Sequence, residues 1–152
     1  MPRVYEATLQ KLVFYFGSEH PDLSVSSPHK ETYSSPDTSS KRGHLRLHLI
    51  SSQDGRESMV DLTRTLAEMS QKGKISPQDI SIELVDAELS EGIMSEPDLL
   101  ILFTPHVELA GYPPWQIRLT EIFCLKDNET FGYQVFLRAL RNYAGAQMRK
   151  GK

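Results

Sequence analysis

Apolar positions along the chain set out a succession of elements. Tyr5, Leu9, Leu12, Val13 and Phe16 recur at helical spacing, and Gly17 is placed to stop that helix. Residues 18–43 are rich in Ser, Pro and Asp with little to bury, and the composition predicts a flexible surface loop. Gly43-His44-Leu45-Arg46-Leu47-His48-Leu49-Ile50 then alternates strictly, as a half-buried strand does. On such a strand His44, Arg46 and His48 share the polar face, while Leu45, Leu47 and Leu49 face the core. The two histidines, four apart on a period of two, suit a solvated or interface face rather than a metal pair.

After the turn Ser51–Arg56, a helix is predicted with Met59, Leu62, Leu66 and Met69 on one stripe and Lys72-Gly73-Lys74 at its end. Ser76-Pro77-Gln78-Asp79 reads as a capped helix start, with Ile80, Leu84, Ala87 and Glu88 behind it. The alternation of ISIELV also fits a short strand, so this segment stays open between the two. The continuous run Leu99–Phe103 suits a strand buried on both faces, and Glu121–Leu125 looks like another. Asn128-Glu129-Thr130 is placed to cap a last helix carrying Tyr133, Phe136, Leu137, Leu140 and Ala144. Strands interleaved with helices predict an α/β fold with a mostly parallel sheet flanked by helices.

Composition narrows the class. With 152 residues, one compact domain is expected, and 39% hydrophobic against 24% charged residues describes a globular chain. A net charge of −3 argues against nucleic acid as a partner. The one cysteine, Cys124, excludes an internal disulfide framework and is expected to fill apolar space in a core strand. No apolar run approaches about 18 residues, so the sequence has no transmembrane segment of its own.

Three stretches carry a resemblance. Ser52-Gln53-Asp54-Gly55-Arg56-Glu57-Ser58-Met59-Val60 resembles the strand–Gly-Arg–helix turn of cis-prenyltransferases. Pro97-Asp98-Leu99-Leu100-Ile101 resembles the strand leading to that family's substrate-binding arginine. Pro114-Trp115-Gln116-Ile117-Arg118-Leu119-Thr120-Glu121-Ile122 is close to a run found in the family's non-catalytic eukaryotic subunit, the Nogo-B receptor type. The terminal Arg149-Lys150-Gly151 matches that subunit's Arg-X-Gly ending. The resemblance covers residues 3–17 loosely and 44–152 throughout, the latter as the C-terminal part of a cis-prenyltransferase-like domain. It implies that the family's opening strands and tunnel helix lie upstream of Met1, with residues 1–17 a helix of the same, truncated domain. Without those strands, the run Leu99–Phe103 would lie beside an open edge that recruits other chains.

In the catalytic relatives the strand continues Arg-Thr-Ser-Gly-Glu-X-Arg, and its two arginines grip diphosphate, for which a planar guanidinium is well suited. Counting back from Trp115, those positions are Leu102 and Glu108, an apolar group and a like charge. The Asp-Gly turn that holds Mg²⁺ in catalytic chains is also missing. The resemblance therefore implies a non-catalytic, partner-activating subunit of the complex that makes dehydrodolichyl diphosphate from farnesyl and isopentenyl diphosphates, for dolichol synthesis and protein glycosylation. Its partner, the catalytic cis-prenyltransferase subunit, would hold the Mg²⁺.

Arg149 and Gly151 would bind isopentenyl diphosphate in the partner's active site, since glycine lets backbone approach phosphate and arginine neutralises it. Tyr112, Pro114, Trp115, Ile117 and Arg118 are the interface candidates. Trp115 suits a dimer contact or the core equally, and Arg118 either pairs with a carboxylate or reaches the interface. Glu121, at the position of a metal-binding glutamate, is a weak metal candidate because a lone carboxylate makes no Mg²⁺ cage. Location at the cytoplasmic face of the endoplasmic reticulum membrane, held there by the partner or an upstream segment, follows from the same resemblance. The rival reading is an interaction or receptor module with no part in catalysis.

Overall fold

The computed structural model describes residues 1–28, 30–34, 43–126 and 130–146. It divides into two compact units, Met1–Ser51 and Ser52–Lys152. The first opens with helix α1, Pro2–Phe16, with proline at its first position and Gly17 (φ 58°) at its C-terminal cap. Tyr5, Leu9 and Leu12 are half-buried, whereas Val13 and Phe16 of the same apolar set are exposed.

The segment expected to be loop carries two strands, β1 (Asp22–Ser27) and β2 (Lys30–Ser34). This corrects the reading of residues 18–43. Leu23 and Val25 are fully buried and Ser24 nearly so, making this serine-rich strand the core of its unit. The alternation Leu23-Ser24-Val25-Ser26 is a strand pattern hidden inside a loop-like composition. Residues 35–42 of that segment lie outside the described residues.

Strand β3, His44–His48, runs parallel to β1 with Leu23 opposite Leu45 and Val25 opposite Leu47, while β2 pairs antiparallel on the other side. The order is thus β2-β1-β3. The polar face expected for β3 is present: His44 Nε2 lies 2.9 Å from Ser24 Oγ, and His48 Nδ1 lies 2.9 Å from Ser26 Oγ. Leu47 and Leu49 are half-buried, but Leu45, at the strand's start, remains exposed.

In the second unit α2 spans Arg56–Gln71 and buries Leu66 of the predicted stripe. The Ser76 cap starts only a single 3₁₀ turn, Pro77–Asp79, closed by reciprocal Ser76 and Asp79 hydrogen bonds. A second cap, Ser81, whose hydroxyl accepts from the Leu84 N–H at 3.2 Å, starts α3, Ile82–Gly92. The open choice between helix and strand is settled as helix, begun one cap later than Ser76.

Strands β4 (Leu99–Leu102) and β5 (Glu121–Cys124) pair in parallel, Leu99 opposite Glu121 and Leu102 opposite Cys124. Every residue of β4 is half-buried, against the expectation of burial on both faces. Among the described residues β4 has β5 as its one partner strand.

The final helix, α4, runs Tyr133–Gly145 from Gly132 with no side-chain cap. Asn128 and Glu129 lie outside the described residues, so their predicted capping role falls there too. Val135 and Ala139 are its buried residues, while Tyr133, Phe136, Leu137 and Leu140 are exposed. The apolar stripe is wider than the side of α4 that is covered.

Candidate functional site

The residues between β4 and β5 hold most of the candidate positions, and their path is set by two backbone contacts. Ala110 and Gly111 both have positive φ, 45° and 84°, and the Tyr112 N–H donates to Leu109 O at 2.7 Å, closing the elbow. Gly111 O also presses against Gly55: a Cβ built on Gly55 would stand 1.8 Å from that oxygen. The Gly-Arg turn before α2 and the elbow after β4 therefore abut, and only glycine at 55 allows it.

Beyond the elbow, Pro113 is fully buried and leads into a 3₁₀ turn, Pro114–Ile117. Helix α3 grips this turn. Gln116 is 2% exposed, and its Nε2 donates to Leu89 O at 3.3 Å. Trp115 Nε1 donates to Asp86 Oδ1 at 2.8 Å, and Arg118 Nη2 donates to the same oxygen at 2.9 Å. The Arg118 guanidinium also lies 5.0 Å from the indole centroid, within cation–π range. Arg118 thus pairs with the Asp86 carboxylate and still remains exposed, so the pairing does not take it away from the surface. Trp115 and Ile117 are half-buried and Pro114 is exposed, so the turn shows an aromatic and a stacked guanidinium partly to solvent.

The exit into β5 is fixed by acceptors just before β4. Thr120 Oγ1 donates to Pro97 O at 2.7 Å, the Glu121 N–H donates to Asp98 O at 3.0 Å, and Glu96 accepts from the Leu119 N–H. Tyr112 is partly buried, with its hydroxyl directed at Met94 Sδ at 3.7 Å, and burial pushes its phenol pKa up.

Leu102 ends β4 half-buried and offers no donor. Glu108 sits exposed in the elbow, 3.2 Å from His106 Nε2. Cys124 is only half-buried, and its thiol donates to Thr104 O at 3.4 Å, so it is not the buried filler expected. Glu121 opens β5, and among the described residues no group of three or more His, Cys, Asp or Glu side chains gathers to hold a metal ion. Arg149 and Gly151 lie outside the described residues. Asp86, Gln116 and Glu96 organise the site but were missed in the sequence. Each acts through a partner more than 20 positions away, which no local periodicity reports.

The profile of a family described as putative undecaprenyl diphosphate synthase matches residues 17–151, and the chain belongs to that family. It is 41% identical over 150 residues to the dehydrodolichyl diphosphate synthase complex subunit nus1 of Schizosaccharomyces pombe, covering 97% of this chain and 56% of the relative. It is 40% identical over 158 residues to the subunit of the same name from Saccharomyces cerevisiae, covering 93% of this chain and 42% of the relative. The chain thus spans about half the length of these relatives. The structure resembles lavandulyl diphosphate synthase from Lavandula x intermedia, solved with dimethylallyl diphosphate. The TM-score is 0.64 over 99% of this chain and 69% of that one, at 22% identity, a likeness of fold. Both the resemblance read from the sequence and the cis-prenyltransferase-like fold stand.

Proposed function

We propose that the chain acts as a non-catalytic, partner-activating subunit of a dehydrodolichyl diphosphate synthase complex. The observation that carries this reading is its 40% and 41% identity, along nearly its whole length, to two proteins named as subunits of that complex. Leu102 and Glu108 support the non-catalytic part, since neither can grip a diphosphate. The partner would supply Mg²⁺, the acceptor site and the chemistry, using farnesyl and isopentenyl diphosphates to make the dolichol precursor. This chain would present Tyr112, Pro114, Trp115, Ile117 and Arg118 to the partner and send Arg149 and Gly151 into its isopentenyl diphosphate site. The complex would work at the cytoplasmic face of the endoplasmic reticulum membrane. Among the described residues no helix is long and apolar enough to cross a membrane, so attachment is assigned to the partner or to a segment outside this chain.

The test compares the purified chain with the chain co-expressed with a catalytic cis-prenyltransferase, given Mg²⁺ and both diphosphates. Polyprenyl product is expected from the pair and none from the chain alone; product from the chain alone would overturn the reading. Within the pair, Arg149→His should leave assembly intact and lower turnover roughly 30- to 1,000-fold, the worth of a charged contact made in the transition state. Full activity in that variant would remove the tail from the active site.

A further inference from the structure

One carboxylate oxygen outside the sequence motifs ties the Pro-Trp turn together. Asp86 Oδ1 accepts from Trp115 Nε1 at 2.8 Å and from Arg118 Nη2 at 2.9 Å, while the guanidinium lies over the indole at 5.0 Å. The three groups form a closed set in which each restricts the rotamers of the other two. One turn along the same helix, Leu89 O holds the Gln116 amide, so α3 grips the turn at two successive points. A side chain needed only for core packing would lie beneath the turn, as Gln116 does. Trp115 and Arg118 are instead held on the outer side, part-exposed.

We propose that Asp86 is the positioning residue of a partner-facing surface: it fixes Trp115 and Arg118 before the partner arrives. The proposal rests on the reading that this turn meets the catalytic subunit. Aromatic and arginine anchors dominate interface energies, and both lose rotamer freedom when docked. Fixing them in advance removes that cost from the binding step. The surface this arrangement fits is an apolar recess for the indole edge, rimmed by carboxylate or carbonyl acceptors for the stacked guanidinium.

The experiment measures the dissociation constant between the chain and a catalytic cis-prenyltransferase for the native sequence, Asp86→Ala, Asp86→Asn and Trp115→Ala. The indole N–H resonance of the unbound chain, assigned through Trp115→Phe, is followed alongside. Trp115→Ala should weaken binding by about 30-fold or more. Asp86→Ala should weaken it by about 5- to 30-fold and shift the indole resonance, with faster solvent exchange. Asp86→Asn keeps an acceptor for the indole and loses the charge that holds Arg118. It should fall between the native sequence and Asp86→Ala and lose part of the salt dependence, and it decides the matter if the alanine variant fails to fold. An unchanged dissociation constant in both Asp86 variants, with Trp115→Ala still weak, would overturn the positioning role and leave the interface standing. No effect of Trp115→Ala would overturn the interface reading and this inference with it.

Discussion

Strands β1 and β4 invert what their compositions suggest. β1 reads Asp-Leu-Ser-Val-Ser-Ser, half of it serine, yet holds two fully buried side chains, Leu23 and Val25. β4 reads Leu-Leu-Ile-Leu and has no buried residue. The difference lies in the neighbours. β1 is the middle of three strands, paired on both edges, whereas β4 pairs with β5 alone among the described residues. Burial is conferred by what packs around a strand, and a short chain segment does not contain that information. The same contrast separates β1 from β3, where Leu45 is exposed although it stands opposite the fully buried Leu23.

The most direct way to break this comparison is to hollow out both strands. Leu23→Ala should cost about 2–5 kcal/mol, the range for a fully buried leucine. Ile101→Ala in β4 should cost only about 1–2 kcal/mol, because the side chain is already half in water. Urea midpoints at constant slope measure both. Equal losses, or a larger one in β4, would mean that β4 is covered in solution by something further. A third substitution falls between these in size. Gly55→Ala forces its new methyl into Gly111 O and should cost about 1–3 kcal/mol by backbone displacement. A neutral effect there would show that the Gly-Arg turn and the elbow are not in contact.

These cases also show how much was legible in advance. Helices α1, α2 and α4 were, because amphipathic spacing is local, and α2 ends beside Lys72-Gly73-Lys74. α3 was not, since its alternation fits helix or strand and its cap is Ser81 rather than Ser76. The side a helix turns inward was less so. In α4 the positions picked out by spacing face outward, since the stripe is broader than its cover and the buried residues are Val135 and Ala139. β1 was lost to its serines, whose hydroxyls reach His44 and His48 on the neighbouring strand and so belong on a sheet face. At the candidate site Tyr112, Trp115 and Arg118 are singled out by resemblance alone. The groups that hold them, Asp86 and Met94, sit on α3 and just beyond it and become visible only when the chain is folded.

The smallest expected effect concerns Tyr112, which stands between the two extremes of burial. Its hydroxyl is directed at Met94 Sδ, and burial raises its pKa above the usual value of 10.0. The folded state therefore holds the phenolic proton more tightly than the unfolded chain. Its contribution is complete below the unfolded pKa and is lost as the pH rises through the folded one. Because the side chain is only partly buried, the slope it adds should be shallow. Urea midpoints taken from about pH 9 to about pH 11 should fall less steeply in Tyr112→Phe than in the native sequence. Parallel slopes would place the Tyr112 hydroxyl in water and the elbow away from Met94.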